Sequence, residues 1–178
     1  LDAIIAKNDK NADAHYALGI VFMKINKIDD AEDEVKLAIE LNANNAEYHY
    51  GLAKTYMVQL NNASIFSKMS LAGSFRDELN AALKIDPNHQ LALTNLTGYY
   101  TQAPSIAGGD LNKALELANR LLKLNEKQAR AFLVQIYTAM NNNAKAAEEV
   151  NNLIKIDEYS GRYMLIQGLK KQGNLAKA

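Results

Sequence analysis

Apolar residues recur along this chain at spacings of three and four, the period of a helix with one buried face. The clearest runs are Ala31, Val35 and Ala38; Leu79 and Ala82; Ala114, Ala118 and Leu121; and Ala146, Val150 and Leu153. Between them lie segments that copy one another. "DAHYALGIVF" (residues 13–22) aligns with "EYHYGLAKTY" (47–56), setting His15 over His49, Leu18 over Leu52 and Phe22 over Tyr56, each pair 34 residues apart. A third copy, "LALTNLTGYY" (91–100), places Leu96 and Tyr100 a further 44 residues on, so one repeat has gained ten residues. The pattern predicts helix pairs at 12–25 and 29–41, 46–59 and 63–85, 89–101 and 110–123, and 127–140 and 143–156, then a first helix near 160–171. Small residues at Gly19, Ala31, Ala38 and Ala82 would let helices approach, while Phe22, Tyr56 and Tyr100 fill the space left between them.

Leu18-Gly19 and Phe22, followed by Ala31, Val35 and Ala38, together with the closing "ALKIDPNH" (82–89), resemble the tetratricopeptide repeat, a unit of about 34 residues built from two antiparallel helices. The departures are His15 and His49, at a position that the family fills with Trp. The resemblance implies an all-α fold, a right-handed superhelical solenoid of antiparallel helix pairs, here with a lengthened second helix in repeat two and a loop insertion in repeat three. It reads the chain as a single array over 1–178: the tail of a preceding repeat at 1–11, repeats at 12–45, 46–89, 90–126 and 127–158, and a partial repeat at 159–178. Residues 1–7 would close an earlier second helix and "GNLAKA" (173–178) would open another. Both ends are then expected to cut through helix pairs, with further chain beyond one or both. "FSKMSLA" with "QAPSIAGGD" is also similar to a group of bacterial tetratricopeptide proteins without an assigned activity.

The lengthened helix keeps its spacing through Ile65, Phe66, Met69, Ala72, Phe75, Leu79 and Leu83, with Asn62 or Ser64 able to cap its start. Gly73 inside it should cost up to about 1 kcal/mol relative to Ala, tolerable where something packs closely. The loop is "YTQAPSIAGGD" (100–110): Pro104 discourages helix, Gly108-Gly109 supply unusual backbone angles, and Asp110 is placed to cap the helix that follows. It is not a phosphate cradle, which would need G-x-x-x-x-G-K-[ST] after a strand. Pro104 and Ile106 are expected to fold over Phe66 and Met69.

Composition narrows the chemistry. Twenty basic and twenty acidic residues cancel in a chain of 178, so no net field favours nucleic acid or an anionic membrane. Without cysteine there is no thiolate metal site and no cysteine nucleophile. The three histidines read as structural: His15 and His49 share one repeat position, too far apart for one metal ion, and His89 lies at a helix start. No catalytic fingerprint is present, and neither enzymatic activity nor a cofactor is expected. No apolar run is long enough to insert this segment in a membrane, and none of it reads as an export signal; the compartment, cytoplasmic or exported, stays open.

In the family it resembles, the first helices line a concave face. The positions matching its groove include Tyr16, Ile20, Met23, Lys24, Tyr50, Lys54, Met57 and Asn95, an aromatic and methionine-rich floor flanked by cations. Only Asn95 fits the family's terminal-carboxylate clamp, which is therefore not expected. The function implied is a non-enzymatic scaffold that binds a protein or peptide segment in this groove. The alternative is an assembly element that self-associates or stacks through its ends.

Overall fold

The computed structural model describes residues 10–171. They form nine α-helices and one short 3-10 turn: α1 (Ala12–Lys24), α2 (Ile28–Leu41), α3 (Ala46–Asn62), α4 (Ile65–Ile85), α5 (Gln90–Gln102), the turn Ser105–Ala107, α6 (Leu111–Leu121), α7 (Glu126–Ala139), α8 (Asn143–Ile156) and α9 (Glu158–Lys171). Every helix expected within these residues is present, with ends displaced by three residues at most. No strand occurs among the described residues. The tail expected at 1–7 and the helix expected to open at 173–178 lie outside them. The chain divides into two compact parts, up to Ala92 and from Leu93, and each is taken by itself.

In the N-terminal part, α1 and α2 form an antiparallel hairpin that is tight because Gly19 has no side chain. A Cβ there would stand 2.5 Å from Val35 Cγ2 and 3.1 Å from the Ala31 carbonyl. Ala31, Val35 and Ala38 are fully buried beneath it. The turn between the helices uses Asn26 in the left-handed region (φ 61°), which lets Lys27 N–H donate to the Phe22 carbonyl at 2.9 Å and close the end of α1. Asn tolerates that conformation because its short polar side chain costs little there.

In the second hairpin, α3 with α4, Tyr48, Leu52, Ala53 and Tyr56 of the first helix are buried, as are Phe75, Leu79, Ala82 and Leu83 of the second. Those four residues all belong to the C-terminal half of α4, a helix of 21 residues. Its N-terminal half projects: Phe66 is 89% exposed and Met69 62%. Nothing lies within 4 Å of a Cβ added at Gly73, so the close packing that would have explained this glycine is absent. Ser64, not Asn62, caps the helix, its hydroxyl accepting from Ser67 N–H.

In the C-terminal part, Leu93, Leu96, Thr97 and Tyr100 of α5 are buried, as are Ala114, Leu117, Ala118 and Leu121 of α6. The two glycines of the intervening loop act differently. Gly108 takes a left-handed conformation (φ 89°), whereas Gly109 sits so close to the chain that a Cβ would fall 1.8 Å from the Ala103 carbonyl. Asp110 closes the loop, donating its N–H to the Tyr100 carbonyl at 3.0 Å while its carboxylate caps α6 at Asn112 and Lys113. Ile106, on this loop, is 84% exposed. The α7–α8 hairpin repeats the first one, down to Asn141 at φ 58° with Asn142 N–H on the Tyr137 carbonyl at 2.8 Å.

Candidate functional site

The histidines settle into pairs with glutamates. His15 Nδ1 lies 2.6 Å from Glu34 and His49 Nδ1 2.7 Å from Glu78, each joining the first helix of a hairpin to the second. His49 Nε2 also faces the Ala43 carbonyl at 3.1 Å. The equivalent position in the α7–α8 hairpin holds Arg130, which donates to Glu149 at 2.7 Å. In α5 and α6 the corresponding residues are Leu93 and Leu117, both buried. The place read as a packing position is thus one where a cation-forming side chain meets a glutamate, or apolar residues stand instead. The signal was a fixed separation: 19 residues in the first and last of these pairs, and 29 where the ten-residue extension of repeat two intervenes.

The N-terminal part holds seven of the eight groove candidates, on α1 and α3. Tyr16 packs its ring over Gly51, where a Cβ would stand 2.5 Å from Tyr16 Cε2, and lies 5.0 Å from the Tyr48 ring. Its hydroxyl donates to Glu47 at 3.0 Å. Burial, with the Glu47 carboxylate beside it, raises the Tyr16 phenol well above the usual range. Tyr48 donates to Asp13, and burial followed by that carboxylate pushes its phenol up to about 12. The other Glu47 oxygen lies 3.2 Å from His89 Nε2. Because His89 Nδ1 accepts from Ala92 N–H at 3.2 Å, the ring proton belongs on Nε2, where it is donated to Glu47. The His89 ring in turn lies 5.0 Å from that of Tyr50, which is 7% exposed. Tyr16 and Tyr50 are therefore built into the framework between helices.

The remaining candidates face outward to different degrees. Ile20 and Met23 are half-buried, Met57 is 40% exposed, and Lys24 is exposed. Lys54 is half-buried with its ammonium 6.0 Å from the centre of the Tyr50 ring, the outer limit of a cation–π contact. Among the described residues neither Lys24 nor Lys54 has a carboxylate within ion-pair distance. Asn95, half-buried on α5, belongs to the C-terminal part. No cluster of three metal-ligating side chains occurs among the described residues. Nor is any described helix long and apolar enough to cross a membrane.

A tetratricopeptide-repeat family model matches residues 1–55. Solved structures share the fold over nearly the whole chain. A tetratricopeptide repeat protein from Parabacteroides merdae superposes with a TM-score of 0.76 at 18% identity, covering 99% of this chain and 66% of its own. Residues 1–55 carry the tetratricopeptide-repeat sequence pattern. YrrB, described as a tetratricopeptide protein with an unusual peptide-binding site, gives a TM-score of 0.74 at 16% identity, covering 97% of this chain and 84% of its own. MamA from Desulfovibrio magneticus RS-1, from its residue 41 to its end, gives 0.72 at 14%, covering 96% and 89%. At these identities the likeness is one of fold. No curated protein matches the sequence. Tetratricopeptide repeats serve in general as scaffolds for protein–protein contacts and are typically without enzymatic activity.

Proposed function

We propose that α1 and α3 receive a protein or peptide segment on the face formed by Ile20, Met23, Lys24, Lys54 and Met57, and that the protein acts as a non-enzymatic scaffold. The observation that carries this reading is Met57, a large apolar side chain left 40% exposed beside a lysine whose ammonium has no carboxylate partner among the described residues. Methionine suits such a role because its flexible, polarisable side chain adapts to an apolar guest. The peptide-binding site described for YrrB is consistent with this reading. Tyr16 and Tyr50 support the floor from below rather than anchoring the guest. A photo-crosslinking residue placed at position 57 should trap a partner, and one at the more exposed position 66 should not. Equal labelling from both positions would reject this face.

A second reading, association with another copy, is favoured by α9, where Tyr159 is 81% and Tyr163 53% exposed one helical turn apart.

A further inference from the structure

The two signs of charge on this face are differently engaged. Its acids are occupied: Asp13 accepts from the Tyr48 hydroxyl, and Glu47 takes the Tyr16 hydroxyl on one oxygen and His89 Nε2 on the other. Its cations are not, since Lys24 and Lys54 have no carboxylate within reach among the described residues. Position follows from helix geometry. Tyr16, Ile20, Met23 and Lys24 fall on one stripe of α1, and Glu47, Tyr50, Lys54 and Met57 on one stripe of α3. The contacts of Tyr48 with Asp13 and of Tyr16 with Glu47 and Gly51 set the helices side by side in the same direction. Ile20 then comes level with Lys54, and Met23 with Met57. The acids stand at the N-terminal turns of both helices, where the helix dipole also favours them, while Lys24 closes α1 and Lys54 stands at the middle of α3, each ammonium without a carboxylate among apolar side chains.

From this arrangement we infer that the segment received here is acidic and apolar together: a stretch of protein that sets leucine-like side chains over Ile20, Met23 and Met57 and carboxylates against Lys24 and Lys54. The inference rests on the proposed use of this face. A nucleic acid would require a continuous basic track, and the lysines here are separated by apolar side chains. A terminal carboxylate is unnecessary, because Lys24 and Lys54 sit on different helices and serve separate acidic groups along the guest.

Selection from a random-peptide display library on the immobilised chain, beside K24E/K54E and M23A/M57A variants shown to be folded by circular dichroism, tests this. Peptides enriched on the parent should combine Asp or Glu with Leu, Ile or Phe, bind roughly tenfold more weakly to K24E/K54E, and weaken as salt rises. Enriched peptides that are neutral or basic, lost on M23A/M57A but kept on K24E/K54E, would overturn the acidic assignment and leave the face standing as a binding site. Peptides that bind both variants as well as the parent, or no enrichment at all, would overturn the assignment together with the face.

Discussion

Gly19 and Gly73 both occupy helix interiors in the N-terminal part, yet a methyl group added to each meets opposite surroundings. At Gly19 it would press on Val35 and on the Ala31 carbonyl, so Gly19→Ala should cost roughly 1–3 kcal/mol in a urea melt. At Gly73 it meets open space, so Gly73→Ala should gain about 1 kcal/mol from helix propensity alone. The Leu18-Gly19 pair was legible in the sequence because a repeating neighbourhood told what faced it. Gly73 was not, since the room around a Cβ belongs to other helices. Asp157 gives a pH test at the same scale. The Lys127 ammonium, then the N–H and hydroxyl of Ser160, hold its carboxyl down to about 2. A depressed carboxyl stabilises the fold fully above its ordinary range and loses that contribution as the pH falls toward 2. The stability difference between the parent and Asp157→Asn should therefore be constant near neutrality and shrink between about pH 4 and pH 2, followed by thermal melts across that window.

The helices were the most legible elements, and the reason is local. Starts are marked by side chains that cap them, including Asn11, Asn45, Ser64, Asp110, Asn125 and Asn142, each accepting from a backbone N–H two or three residues on. Ends were harder: α3 runs three residues past its expected stop. The fate of the insertions was not legible at all, because helical spacing in α4 says which side chains share a stripe and not whether anything covers them. Phe66→Ala should accordingly leave the melting temperature unchanged within error, whereas Ala38→Leu, at a fully buried contact, should cost roughly 1–3 kcal/mol. The cross-hairpin pairs can be weighed through Arg130 and Glu149. A double-mutant cycle with Arg130→Met and Glu149→Gln should return a coupling of about 1 kcal/mol, since both side chains are largely shielded and Arg130 keeps Glu126 when Glu149 is removed.

For the molecule as a whole, balanced charge and the absence of cysteine limited the possible chemistry, and the repeat period identified the architecture. The proposed face was only partly legible. Repeat position tells the direction in which a side chain leaves its helix, but whether another residue meets it there depends on the neighbouring hairpin. Tyr16 meets Glu47 and Tyr50 meets His89, while Met57 meets less and stays exposed. Sedimentation velocity over a range of concentrations separates the two functional readings. A scaffold for other proteins should sediment as one species throughout, and an assembly element should grow heavier with concentration without any added partner. The pairing of His15 with Glu34, His49 with Glu78 and Arg130 with Glu149 carries a consequence for descent, because each side chain finds its partner within the stretch of gene that encodes its own hairpin. A duplication or deletion of one hairpin carries both members along, so the length of such a protein can change over generations without stranding either of them.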